Sequence, residues 1–372
     1  MILKKYKNNL RPLFTILALI TTMLWWGANT TNAQTPANRG TLHDFTGSGR
    51  TSFVTLGNIS GDDIPGGPII WRIAANPPIT GSNPAFIRVF NYGINNMDAI
   101  VPENYSGTDT PNPRTDPTVW RAGIGTFFVA QTPIGTGGIT IERAVQWGQQ
   151  GDNPRGIGDY DGDGRTDYTV VRNVNNVNIW FIMSSSTNTM RAIPFGSRAG
   201  LNPPSVGGGF KVFPGADFNN DGIDELVYVT GANNGTRNTY NIGDARTGQG
   251  LITRDFGTFN DDFSIPPDDY TGDGKADFVV SRQTQGSQAI WFILDVERNT
   301  FTATPFGIAD PDFIISDLPV RGDFDGDKRH DIAVYRESNQ TFYWINSSDG
   351  VPRGQKAPAE ANDFPLGALD NF

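Results

Sequence analysis

The chain has 372 residues, 39 acids against 29 bases, a formal charge of −10 and no cysteine. Such a balance repels phosphate backbones, which argues against a nucleic acid partner, and the missing thiols exclude disulfides, zinc–thiolate sites and a cysteine nucleophile. Its 44 glycines and 25 prolines suit short strands and tight turns, with almost no helix.

The first predicted element is an export signal. Lys4, Lys5, Lys7 and Arg11 form a basic start, "PLFTILALITTMLWWGA" is a short apolar core, and "TNA" ending at Ala33 leaves a small residue before Gln34. An uncleaved anchor is the competing reading, because the run is nearly long enough to span a bilayer. Thr15, Thr21, Thr22 and the small-residue exit favour cleavage. Residues 1–33 are therefore read as a signal peptide, 34–39 as a short linker and 40–372 as a single domain. The mature chain would carry 25 bases against 39 acids, a charge of −14, and is expected to be secreted, periplasmic or on the cell surface. No second apolar run of spanning length follows, so no membrane span is expected once the signal is gone.

Next comes a repeat. Acidic loops start at Asp44 ("DFTGSGRTS"), Asn104 ("NYSGTD", its end displaced by an insertion before "RTDPTVWR"), Asp159 ("DYDGDGRTD"), Asp217 ("DFNNDGIDE"), Asp269 ("DYTGDGKAD") and Asp323 ("DFDGDKRHD"). Each is followed by an apolar strand ("SFVTLG", "DPTVWR", "DYTVVR", "ELVYVT", "DFVVSR", "DIAVYR") and a second one ("IIWRI", "TFFVA", "IWFIM", "TYNIG", "IWFIL", "FYWIN"). A third closes the unit: "RVFNYG", "RAVQWG", "RAIPFG", "TRDFG", "TATPFG" and "NDFPLG". With the short apolar segment before each loop, such as "LPVRGDF", a unit holds about four strands in about 55 residues, the size of a propeller blade. The expected fold is an all-β propeller of six four-stranded blades, with seven as the alternative. In this reading "GTLHDF" supplies the first strand and the "FPLGALDNF" tail completes the last blade.

The loop pattern D-x-[DN]-x-D-G-x-x-[DE], the W-F-I type strand and the closing F-G resemble the FG-GAP/VCBS repeats of integrin α-subunit heads and many exported bacterial proteins. The resemblance runs from about residue 40 to the end. It implies calcium in the acidic loops and no particular activity.

The residues support that implication. Calcium takes six to eight oxygens in flexible geometry, and a loop offering side chains at positions 1, 3 and 5, a carbonyl at 7 and a late carboxylate at 9 supplies them. The third repeat offers Asp159, Asp161, Asp163, the carbonyl of Arg165 and Asp167; the fourth Asp217, Asn219, Asp221, the carbonyl of Ile223 and Glu225. The fifth offers Asp269, Thr271, Asp273, the carbonyl of Lys275 and Asp277, and the sixth Asp323, Asp325, Asp327, the carbonyl of Arg329 and Asp331. The first copy has Ser48 and Ser52 in place of acids and the second has Asn104 and Ser106, so about four Ca2+ ions are expected, in repeats three to six. Lys328 stands where the turn wants glycine, which weakens the sixth site. The competing reading of each loop is an Asp-Gly turn whose carboxylates cap backbone N–H groups.

Other signals are weaker. Arg321-Gly322-Asp323 spells a tripeptide of adhesion ligands, yet Asp323 is also position 1 of the sixth loop. Only His43 and His330 are present, which argues against a histidine-based triad or a multi-histidine metal site. Arg121, Arg172, Arg282 and Arg336 recur at one strand end and Trp180, Trp291 and Trp344 one strand later. Regular placement suits packing between blades better than sugar stacking, and Trp71, Trp120 and Trp147 are read the same way. The insertion "TDTPNPRTDPT" at 108–118 is the candidate functional loop outside the repeats.

No catalytic residue is assigned. The expected function is that of an exported, calcium-binding, non-catalytic binding or adhesion module, monomeric, for an extracellular protein or polysaccharide. A polysaccharide lyase or hydrolase using calcium as electrophile, or a lectin, are the alternatives.

Overall fold

The computed structural model describes residues 40–59, 66–76, 87–107, 113–132, 139–197, 210–231, 237–258, 262–283, 288–309 and 317–371. The expected signal peptide, the linker 34–39 and residues 108–112 of the insertion lie outside them. Among the described residues no helix is long and apolar enough to cross a membrane.

The strands form six antiparallel sheets. Blade 2 consists of Asp98–Ile100, Thr118–Arg121, Thr126–Gln131 and Thr140–Gln146; blade 4 of Phe210–Ala216, Glu225–Gly231, Asn238–Gly243 and Gly250–Asp255. Blade 5 consists of Asp262–Asp268, Asp277–Gln283, Ala289–Asp295 and Thr300–Pro305; blade 6 of Leu318–Val320, Ile332–Arg336, Thr341–Ile345 and Pro352–Lys356. Blade 3 has three full strands, Tyr168–Val174, Val177–Met183 and Met190–Ser197. Its innermost segment is held by two isolated bridges, Asn153 to Val171 and Gly158 to Asp167. Pro154 removes a ladder donor there, and Gly156 lies flat against the Trp180 ring, so a regular strand cannot form.

Burial peaks on the second strand of a blade and falls from there outward, which explains the sequence pattern. The strand after each acidic loop is sandwiched between neighbouring sheets, so Tyr168 to Val171 and Asp277 to Ser281 are buried without a break. The next strand alternates, as in Val177–Met183, and the outermost strand is largely exposed, as in Thr300–Pro305. The apolar clusters sit at the seams between blades: Val171 and Trp180 of blade 3 join Val212, Leu226 and Tyr228 of blade 4.

Two expectations about the chain ends are corrected. "GTLHDF" is not a strand: Gly40 and His43 adopt φ of 78° and 55°, which breaks an extended run. The segment "NDFPLG" does not close blade 6, whose outer strand is Pro352–Lys356. Instead Phe364–Pro365 pairs with Phe53–Gly57 as the innermost strand of blade 1, beside Pro68–Ala74 and Ile87–Ile94. The end of the chain thus closes the ring on its beginning. Asp363 anchors this closure, accepting from Arg72 Nη1 at 2.8 Å and from Thr55 Oγ1 at 3.3 Å. The turn Leu366–Asn371 then crosses the axis, where Gly367 accepts the amide of Arg321 and Leu369 accepts Arg155 Nη1 at 2.8 Å.

The recurring arginines have one job. Arg121, Arg172, Arg282 and Arg336 each form a bidentate pair with a buried aspartate beginning the innermost segment of the same blade, Asp98, Asp152, Asp262 and Asp317. Each guanidinium also lies over the ring of Phe128, Phe181, Phe292 or Tyr343. Trp71, Trp120, Trp180, Trp291 and Trp344 are buried and Trp147 is half-buried. Trp71, Trp120, Trp147 and Trp180 donate their indole N–H to backbone carbonyls, which leaves these rings to packing.

Candidate metal centre

The glycines of the acidic loops let the chain turn back on the first residue. In the first, third, fourth, fifth and sixth loops positions 4 and 6 take φ > 0, for example Gly162 at 79° and Gly164 at 85°. The first carboxylate then accepts the amides that point inward: Asp159 takes Gly162 at 2.7 Å and Gly164 at 2.8 Å, and Asp217, Asp269 and Asp323 repeat the arrangement. The late acid accepts the amide of residue 2, Asp167 from Tyr160, Glu225 from Phe218, Asp277 from Tyr270 and Asp331 from Phe324. Backbone capping by carboxylates is therefore present in every one of these loops.

Lys328 occupies position 6 of the sixth loop with φ 72°. A side chain there costs on the order of 1 kcal/mol. Lys328→Gly is expected to raise the unfolding free energy by about that amount, read from chemical denaturation.

The loops also bond to one another. The amide of residue 8 donates to the carbonyl of residue 1 in the preceding loop: Thr115 to Asp44, Thr166 to Asn104, Asp224 to Asp159, Ala276 to Asp217, His330 to Asp269 and Thr51 to Asp323, all at 2.7 or 2.8 Å. The belt closes after six members, which settles the blade number against seven. It also identifies Asp116, one residue after Thr115, as the displaced late acid of the second loop. Asp116 accepts the amides of Tyr105 and Ser106 at 2.9 and 2.8 Å. The match of "RTDPTVWR" to "RTDYTVVR" carries that signal in the sequence.

The first loop is satisfied without an ion, since Asp44 accepts the amides of Thr46, Gly47 and Gly49 and the Thr46 hydroxyl. Elsewhere carboxylates crowd. In the third loop one oxygen each of Asp159, Asp161 and Asp163 lie within 4.8 Å of one another, as do those of Asp323, Asp325 and Asp327 in the sixth. Burial, with Asp161 next, pushes the Asp167 carboxyl up to about 8. Burial does the same to Glu225, up to about 8, and to Asp277 and Asp331, up to about 7. Fields of this sign favour protons or cations over bare carboxylates.

The four loops differ in how that charge is met. In the fourth, Asn219 turns its amide onto Glu225 at 2.8 Å and Arg246 reaches Asp221 at 3.3 Å. In the fifth, Arg298 reaches Asp273 at 3.2 Å, and Thr271 offers its amide to Asp277. In the sixth, Arg329 holds Asp327 at 2.7 Å and Ser348 donates to Asp325. In the third, among the described residues, no base pairs with Asp161 or Asp163, and Asp163 Oδ2 is buried with no hydrogen-bond partner. An orphaned buried carboxylate oxygen inside an all-oxygen donor set fits a hard divalent cation. The third loop fits best; a guanidinium stands in for a cation in the fourth and fifth, and in the sixth Arg329 meets only one of the three gathered carboxylates.

The remaining signals resolve into packing. Arg321 and Asp323 of the Arg-Gly-Asp tripeptide are buried, with Arg321 Nη2 3.2 Å from Asp268. His330 is buried beside the same aspartate, its Nε2 3.2 Å away, and burial pushes its pKa down to about 4. His43 is buried near the axis.

No family model matches the chain, and no curated protein matches it. Among solved structures it is similar to the Dos1 propeller, at 8% identity over 78% of this chain and 69% of that one, with a TM-score of 0.35. It is also similar to a protein from Bacteroides uniformis ATCC 8492 provisionally assigned as a 6-phosphogluconolactonase, at 10% identity over 85% and 82% with a TM-score of 0.36. A protein from Lactobacillus plantarum follows at 8% identity over 86% and 98%, TM-score 0.34. Likeness at this level carries no functional argument, and the six-bladed propeller stands on the chain's own sheets and closed belt.

Proposed function

We propose that the chain is an exported propeller of the FG-GAP/VCBS type, stiffened by calcium and acting as a non-catalytic binding or adhesion module for an extracellular protein or polysaccharide. The observation that carries the calcium reading is the third loop, where Asp159, Asp161 and Asp163 converge and Asp163 Oδ2 has no partner. Bound calcium would neutralise that cluster and stiffen the belt at the blade 3 to blade 4 seam. Nothing in this role requires chemistry on a substrate.

Calorimetric titration of the metal-stripped mature chain with calcium chloride is expected to give at least one tight ion, abolished by Asp161→Asn. Unchanged binding in that variant would remove the third loop from the assignment. The calcium-loaded chain is then tested on arrays of glycans and extracellular proteins. Release of new reducing ends or unsaturated sugars in the same incubations would replace the binding role with an enzymatic one.

A further inference from the structure

The third and sixth loops gather three carboxylates each, and the same two loops share a second property. In both, residue 1 is gripped from two sides by residue 8 of the following loop. Asp224 Oδ2 accepts the amide of Asp159 at 2.7 Å, while the Asp224 amide donates to the Asp159 carbonyl at 2.8 Å. Thr51 repeats the grip on Asp323: its Oγ1 accepts the Asp323 amide at 2.9 Å and its own amide donates to the Asp323 carbonyl at 2.7 Å. The Thr51 hydroxyl proton goes to the carbonyl of Leu42 at 2.8 Å, which leaves a lone pair for Asp323. Among the described residues no other seam puts the side chain of residue 8 on the amide of residue 1: the Asn104 side chain instead donates to the Gly164 carbonyl at 2.9 Å, and His330 meets Asp268.

Space is kept for these grips. Asp224 is 6% exposed and Thr51 2%. A Cβ added at Gly158 would stand 2.9 Å from Asp224 Oδ2, and one at Gly215 would stand 2.8 Å from Asp224 Cβ. Glycines at the ends of two neighbouring inner segments thus admit a buried carboxylate that accepts the Asp159 amide.

We infer that Asp224 and Thr51 are positioning residues for the cation loops of the blades before them, an inference that rests on the calcium reading above. Neither is in the ligand set. Each fixes the main chain of the first ligand from both sides, so that its carboxylate meets its two companions without reorganisation. A metal loop on one blade is completed only by the blade that follows it.

The test is a calcium titration by calorimetry on the full metal-stripped chain and its variants, with thermal melts of the metal-free forms to check folding. Asp224→Ala is expected to weaken roughly tenfold or more the site that Asp161→Asn abolishes, as loss of an outer-shell partner does. Asp224→Asn keeps an oxygen for the Asp159 amide and is expected to retain most of the affinity. Thr51→Val is expected to weaken the site that Asp325→Asn abolishes, and Thr51→Ser to restore it. Wild-type affinity in Asp224→Ala and Thr51→Val overturns the inference, and so does an Asp224→Asn as weak as the alanine variant, since charge alone would then be at work. Should Asp224→Ala fail to fold, the Thr51 pair decides the question with an uncharged side chain. A wild-type chain that takes up no calcium would instead bring down the calcium reading itself.

Discussion

Replacing Asp363 by alanine is expected to lower the unfolding free energy by about 3 kcal/mol, the low end for breaking a buried ion pair, because the exposed Glu360 still reaches Arg72 Nη2 at 2.9 Å. Arg72 and Asp363 are 7% and 3% exposed at 2.8 Å, so neither charge is screened by water. The loss is also topological. Asp363 precedes the short strand Phe364–Pro365, which pairs with Phe53–Gly57 through only two residue pairs, so the closure strand leans on Asp363 and on the turn Leu366–Asn371 that follows it. Chemical denaturation measures the loss, and limited proteolysis should cut the variant near both ends of the ring. Stability within about 1 kcal/mol of wild type would mean that the belt bond between Thr51 and Asp323 and the turn Leu366–Asn371 close the ring without the ion pair.

The second large effect concerns pH in the absence of calcium. Asp167 and Glu225 are pushed up to about 8, Asp277 and Asp331 to about 7, and Asp116 and Asp323 to about 6, in each case first by burial. Their unfolded values lie near 4. Between about pH 4 and 8 the folded chain therefore holds protons that the unfolded chain has released, and stability falls as pH rises. Below about pH 4 the direction reverses, because Asp244, Asp295 and Asp327 are held below the usual range by Arg246, Arg298 and Arg329 despite burial, and lose those pairs on protonation. In chelator the melting temperature is expected to drop by on the order of 10 °C from pH 5 to pH 8, taking roughly 2–4 °C per kcal/mol for a chain of this kind. Excess calcium should cancel most of that slope, since a bound cation replaces the protons. A melting temperature that climbs with pH in chelator would show that the loops neutralise themselves through their arginines, and the case for calcium would fail.

Much of the architecture was legible because propeller strands are short and locally patterned. "IWFIM" alternates as the strand Val177–Met183 does, and "DFVVSR" runs apolar because Asp277–Gln283 is covered on both faces. The six loop positions were readable from glycine and aspartate spacing alone. "NDFPLG" was misread because its terminal glycine copies the outer-strand ending. Its better match is "SDLPV", where Asp317 likewise precedes an innermost strand and meets an arginine.

Local spacing set the repeat: six acidic turns, the strands that follow them, the φ > 0 positions and the crowding of carboxylates. These depend on neighbours a few residues apart, where spacing is informative. Tertiary structure alone decided how the ring closes, which carboxylates are met by arginine and which loops are gripped by the next blade. Those contacts join residues such as Arg72 and Asp363, 291 positions apart, or Asp159 and Asp224, 65 apart. A local pattern carries no record of which distant charge will face it, because that is set only when the blades pack.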